Sequence, residues 1–289
     1  MIPANFDYIA AKSLDEALSL LAQHKDDAKL LAGGHSLLPA MKLRLAQPKV
    51  LIDIGRIKDL AYIREDGGQI KIGATTTHFQ VETSDLLRRA CPLLPETATH
   101  LGDVQVRNKG TIGGSLAHSD PAADWPAAII ALSAEMVAAG GKGERVIKAD
   151  DFFVDLLTTA LQPNEVLKEI RFATPKGRVG QAYVKFRHPA SGFAVVGVAV
   201  NLSLDAAGKC QSAGVGITGV APKAYRAKGV ESALKGNALD AKTLSAAAGH
   251  ATDGVSDAIT ELFATGEYRK HLAQVYTRRA LETAISRTK

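Results

Sequence analysis

Two short segments carry the residue types that could hold an anion. Ala32-Gly33-Gly34-His35-Ser36 and Thr111-Ile112-Gly113-Gly114-Ser115 each run from an apolar lead-in through two glycines to a hydroxyl. Glycine has no Cβ and accepts positive φ, so the backbone N–H groups beside it can close on a phosphate. Either segment alone is also what a strand-ending turn looks like. Two of matching build in one chain point to both sides of a single pyrophosphate, and so to a dinucleotide held between two parts of the chain. No G-x-G-x-x-G opens a helix, so the pattern is not a Rossmann fingerprint, and no G-x-x-x-x-G-K-S/T supports a P-loop.

Other chemistry-bearing residues are fewer. His35 and His118 raise the question of a metal, but there is no His-x-x-x-His pair and no Cys/His cluster, and no metal is expected. Asp120 and Asp124 flank Pro121 where a helix is expected to begin. Asp120 suits an N-cap, while Asp124 lies further in and either caps or accepts from a ligand N–H or hydroxyl. Lys185 sits in the apolar run Tyr183-Val184-Lys185-Phe186, where a strand lysine faces either solvent or a ligand carbonyl.

These residues need elements to place them. Ser13-Leu14-Asp15-Glu16 reads as a capping box, followed by an amphipathic helix to about His24. Lys29 to Ala32 is a short strand feeding the first glycine loop, Leu37 to Leu45 a helix leaving it, and Val50 to Ile54 a further buried strand. Loop amides would then adjoin a helix N-terminus. Alternation from Tyr62 to Thr75 around Asp66-Gly67-Gly68 predicts a hairpin. Helices follow over Phe79 to Ala90 and Pro95 to Leu101, then Pro121 to Ser133 after the second loop. Strands are expected at Ala134 to Ala139, Glu144 to Lys148 and Glu165 to Phe172. The polar segment Ala173 to Gly177 is the best boundary. Beyond it come three long strands, Gly180 to His188, Ala194 to Leu204 and Lys209 to Thr218, then helices ending with Tyr268 to Ile285.

Composition narrows the function classes. The chain has 289 residues, 35 Lys and Arg against 30 Asp and Glu for a net charge of +5, and 46% hydrophobic residues. The basic residues are scattered among acids rather than gathered with aromatics, which argues against nucleic-acid binding. The two cysteines, Cys91 and Cys210, are too few for an iron–sulfur cluster, which takes about four thiolates. No run of about 18 apolar residues predicts a membrane span, and no secretory signal is evident, so a reducing, cytoplasmic setting is expected.

The stretches LLAGGHSLLPAMKLRL and RNKGTIGGSLAHSDPAAD together resemble the FAD-binding medium subunit of the molybdenum hydroxylases, the group of aerobic carbon monoxide dehydrogenase and xanthine dehydrogenase. The resemblance runs essentially the whole length. It implies an α+β fold: an FAD-binding domain of the vanillyl-alcohol oxidase (PCMH) type at residues 1–176, in subdomains of about 1–55 and 56–176, and a carbon monoxide dehydrogenase flavoprotein-like C-terminal domain at residues 177–289. The latter is expected to hold a three-stranded antiparallel sheet with helices.

By that resemblance, non-covalent FAD would be bound by Ala32, Gly33, Gly34, His35, Ser36 and Leu37 and by Thr111, Ile112, Gly113, Gly114 and Ser115. Asp124 and Lys185 match flavin contacts, Leu101 and Leu167 apolar ones, and Phe193 falls in a loop that approaches the isoalloxazine ring. The resemblance further implies a large subunit with the molybdopterin cofactor, a small subunit with two [2Fe-2S] clusters, and a dimer of such heterotrimers. Electrons would pass from the clusters to this chain's flavin and on to an external acceptor. A stand-alone flavin oxidoreductase using NAD(P)H is the alternative, and it would need a proton donor over the flavin that the sequence does not identify.

Overall fold

The computed structural model describes residues 1–288. Its first layer is a small parallel sheet of β1 (Asp7–Ala10), β2 (Ala28–Leu31) and β3 (Val50–Asp53) in the order β1-β3-β2. The helix Leu14–His24 covers it through Ala17 and Leu21. Ser13 caps that helix by accepting from the Glu16 amide, but Glu16 reaches back to the Lys12 amide at 2.7 Å rather than to Ser13 itself. The expected box is therefore displaced by one residue.

Seven strands follow: β4 (Ile63–Asp66), β5 (Gln69–Gly73), β6 (Glu135–Gly140), β7 (Gly143–Lys148), β8 (Phe153–Asp155), β9 (Thr158–Thr159) and β10 (Val166–Ala173). Five form one antiparallel sheet, β4-β5-β10-β6-β7, and β8 pairs with β9 as a separate hairpin. The helical stretch expected from Phe79 to Ala90 is two helices, His78–Thr83 and Asp85–Ala90. Ser84 ends the first and caps the second by accepting from the Leu87 amide.

The helix expected from Pro121 begins only at Trp125 and runs to Ala131, every residue buried. Asp120 is therefore not its cap. Its carboxylate holds a turn by accepting from the Ala122 amide, and Asp124 takes the N-cap position with its side chain directed elsewhere.

Beyond residues 174–177 the chain builds a sheet in the order β11-β12-β13-β14: β11 (Arg178–Arg187), β12 (Ala194–Leu204), β13 (Cys210–Thr218) and β14 (Tyr225–Arg226). The sheet has four strands rather than the expected three. The two-residue β14 pairs with Gly216 and Ile217 and is too short to show in any alternation pattern. The run AVVGVAV in β12 is continuously buried because both faces of the sheet are covered. Trp125–Ala131 lies on one face and the long helix Gly266–Ser286 on the other. Tyr183 and Ala199 of this sheet thus join the large core built from β5, β6 and β10, while Val198 and Val200 belong to the C-terminal core. The spacing Gly214-x-Gly216-x-x-Gly219 falls at β13 and is strand packing, not a nucleotide turn.

Candidate functional site

The fold brings the two glycine loops against each other. A Cβ placed on Gly33 would stand 2.2 Å from the Lys109 carbonyl oxygen and 2.6 Å from the Gly110 Cα, so only glycine lets the first loop touch the approach to the second. A Cβ on Gly114 would crowd the Thr111 hydroxyl of its own loop at 2.7 Å and reach the Ala32 Cβ of the first loop at 3.9 Å, an ordinary contact. Gly34 has φ of 77°, a left-handed conformation that redirects the chain into the next helix.

Their backbones are used differently. The N–H groups of Gly33, Gly34, His35, Ser36 and Leu37 have no acceptor among the described residues. In the second loop Ile112 donates to Thr76, Gly113 to Ala74, Gly114 to the Thr111 hydroxyl and Ser115 to the Thr111 carbonyl. The following helices, Leu37–Lys42 and Ile112–His118, have only six and seven residues, so any anion is held by loop amides rather than by an extended dipole. The Ser36 and Ser115 hydroxyls also have no hydrogen-bond partner among the described residues. Five adjacent unengaged backbone donors and two unengaged hydroxyls are the donor set an anion such as a diphosphate needs. His35 is exposed, and no group of three His, Cys, Asp or Glu able to hold a metal occurs among the described residues.

A second cluster lies where the C-terminal sheet meets the turn before Trp125. The Tyr183 hydroxyl donates to Asp124 Oδ1 at 2.5 Å, and Lys185 Nζ donates to Asp124 Oδ2 at 2.9 Å and to the His100 carbonyl at 3.2 Å. Tyr183 and Lys185 are two apart on β11 and so project from the same face. The Asp124 and Lys185 side chains are only 5% and 1% exposed, which makes this a water-excluded ion pair. Burial pushes the Asp124 carboxyl up and the Lys185 ammonium down, each opposed by the attraction of the other. Burial and the neighbouring Asp124 charge hold the Tyr183 phenol well above its ordinary value, so it remains a donor.

Neighbours fix the pair. The Thr218 hydroxyl lies within hydrogen-bond distance of the Pro121 and Ala123 carbonyls, at 2.7 and 2.8 Å, locking the backbone that leads to Asp124. Leu101, buried, follows His100 directly. Phe193 is about half exposed and precedes Ala194, whose amide bonds the Ala122 carbonyl, so it stands beside the Asp124 turn. Leu167 is buried on β10, which packs on Ile112–His118, and a bulge separates it from Glu169.

The two clusters are joined through His78. Its backbone amide donates to the Gly110 carbonyl at 2.9 Å, and its ring accepts at Nδ1 from Trp125 Nε1 at 3.1 Å, one residue from Asp124. Burial lowers His78 to about 4, which keeps the ring neutral and Nδ1 free to accept. Sequence reasoning missed Tyr183, His78 and Thr218. Tyr183 was within reach, since period-two spacing puts it on the same strand face as Lys185; the other two depend on long-range packing.

The FAD binding domain in molybdopterin dehydrogenase matches residues 4–175, and the CO dehydrogenase flavoprotein C-terminal domain matches residues 181–284. The chain belongs to the FAD-binding medium subunits of the molybdenum hydroxylases.

The carbon monoxide dehydrogenase medium chain of Hydrogenophaga pseudoflava is 42% identical over 287 residues, covering 99% of each chain. A solved carbon monoxide dehydrogenase from that organism, lacking the Mo-pyranopterin moiety of its molybdenum cofactor, superposes with a TM-score of 0.96 at 43% identity over 100% of both chains. Quinoline 2-oxidoreductase from Pseudomonas putida 86 gives 0.92 at 32% identity over 99% of both. This medium-subunit family is one of oxidoreductases, and FAD is its cofactor. The unengaged amides of residues 33–37 and the two free hydroxyls fit that cofactor's diphosphate. Cys91 and Cys210 are free, buried in different cores, and the Cys91 thiol is pushed by burial to about 12.

Proposed function

We propose that this chain is the electron-transferring FAD subunit of a three-part molybdenum hydroxylase. The run of unengaged amides from Gly33 to Leu37, closed by the second loop, carries the reading. In it, the diphosphate sits on those amides and on the Ser36 and Ser115 hydroxyls, with Ala32, Thr111, Ile112, Gly113 and Gly114 shaping the walls. Leu101, Leu167, Asp124, Lys185 and Phe193 surround the ring end.

When bound, FAD supplies reversible electron uptake and release. The chain's own residues position it. Loop amides fix the phosphates, apolar side chains exclude water, and the buried Asp124–Lys185 pair presents oriented charge without net charge, so Lys185 acts as half of a dipole rather than as a lone cation. We place molybdopterin on a large partner subunit and two [2Fe-2S] clusters on a small one, in a dimer of heterotrimers located in the cytoplasm. Electrons leave the flavin for an external acceptor. FAD is held without a covalent bond. Residues 1–176 form the FAD-binding domain, with subdomains dividing near residue 55, and residues 177–289 the C-terminal domain.

Purification of the full chain tests this. The expected product is yellow, carries one FAD per chain that denaturation releases, and recovers iron and molybdenum when isolated with its native partners. A folded chain that takes up no FAD would end the reading. Turnover of NAD(P)H with an organic substrate by the chain alone would replace the subunit role with that of a stand-alone oxidoreductase.

A further inference from the structure

We propose that Tyr183 is a positioning residue that acts on the flavin through Asp124, holding the Asp124–Lys185 pair charged and aimed. The inference rests on the FAD reading above. It starts from an asymmetry in how the acid is held. Asp124 belongs to the FAD-binding half of the chain, yet its carboxylate receives both of its side-chain hydrogen bonds from β11, and the carbonyls just before it bond Thr218 of β13. The C-terminal sheet therefore sets where this acid points.

Tyr183 is seated as a built part, not as a filler. A Cβ on Gly197 of β12 would lie 2.3 Å from the Tyr183 hydroxyl oxygen, so glycine at that position is what leaves room for the phenol. The Tyr183 amide donates to Glu96 Oε2 at 2.9 Å, and Glu96 is in turn gripped by Arg287 at 2.8 and 2.9 Å. The His100 ring stands edge-on to the phenol ring, with centroids 5.4 Å apart. Backbone, ring and hydroxyl are all fixed, and the hydroxyl has one acceptor, Asp124 Oδ1.

The chemistry follows from burial. A carboxylate removed from water binds a proton unless donors compensate, and a neutral donor that cannot itself ionise holds the charge without adding any. Lys185 alone would leave Asp124 with one donor and a ready route to a neutral pair, the lysine proton passing to the carboxylate. With Tyr183 in place both carboxylate oxygens are engaged and the proton stays on Lys185. The titratable and charged groups facing the pair are His100, which burial keeps towards the neutral form at the end of the helix Leu93–Thr99, and Arg187 further along β11; Glu96 lies behind the tyrosine amide. None of these donates to Asp124.

The test uses the full chain loaded with FAD, its flavin midpoint potential measured against pH by dye equilibration. Tyr183→Phe should keep one FAD per chain, which separates this inference from the FAD reading itself. The break in its potential–pH curve should lie about one pH unit above that of the parent, a tenfold weaker acid at Asp124. In an Asp124→Asn background the same tyrosine change should leave the curve unmoved. Should Tyr183→Phe not fold, 3-fluorotyrosine placed at position 183 keeps the bond and, as a stronger donor, should move the break downward. A curve that superposes on the parent in either protein, or an equal displacement in the Asp124→Asn background, overturns the proposal.

Discussion

The first glycine loop leaves the amides of residues 33–37 without acceptors among the described residues, whereas the second engages every amide from Ile112 to Ser115 within the protein. Sequences of the same design therefore do different work. Donors already committed to Thr76, Ala74 and Thr111 make a rigid wall. Uncommitted ones make a receptor. What the loops share is a glycine at a close backbone approach, Gly33 to Lys109 and Gly113 to Ala74. A glycine-pair motif thus tells where two backbones approach, and the hydrogen-bond inventory tells which of them is open to a ligand.

Acid and single substitutions should act differently on the two loops. The largest expected effect comes from acid, because His78 holds Gly110 ahead of the second loop through its amide while its neutral ring accepts from Trp125. Its folded value lies near 4 against 6.5 unfolded, so its contribution is complete above about pH 6.5 and is lost as the pH falls towards 4. The loss should approach 3 kcal/mol. Denaturant unfolding of the parent across that range should show a slope that His78→Asn reduces, and equal slopes in both proteins would show that His78 contributes none of it.

Next comes Gly33→Ala, which drives a Cβ into the Lys109 carbonyl and should weaken FAD binding about a hundredfold, roughly 2–3 kcal/mol. Fluorescence titration of the released flavin measures this, and an unchanged affinity would show that the loops need not touch. The smallest effects are a matched pair. Thr111→Val deletes the cap on Gly114 and should cost about 1 kcal/mol of stability with little change in FAD affinity. Ser36→Ala should do the reverse, leaving the melting temperature in place and weakening FAD by about fivefold, near 1 kcal/mol. If both substitutions moved the same quantity, receptor and wall would not be separate roles.

Much of this molecule was readable in advance because its signals are local. The glycine pairs, the Asp66-Gly67-Gly68 hairpin and the apolar run of β12 each carry their instructions within a few residues, and the strands expected there are present. Misplaced features depended on distant partners. The helix expected at Pro121 starts at Trp125 because Asp120, Thr218 and Gly219 hold residues 121–123 as a turn. The sequence around Lys185 suits solvent and ligand equally, and its burial against Asp124 is decided by a residue 61 positions away in sequence. The inequality of the two loops was illegible for the same reason, since Thr76 and Ala74, which occupy the second loop's amides, come from a different element.

β12 has consequences for how the protein reaches its final form. Its seven leading residues are sealed above by a helix some seventy positions earlier and below by one some seventy positions later. Neither cover is close in sequence, so the strand finds shelter only when distant segments before and after it have both docked, and such closures are slow. Refolding should therefore regain early the local hairpins and late the environment of the lone Trp125, making its emission a clock for the moment the two halves lock together.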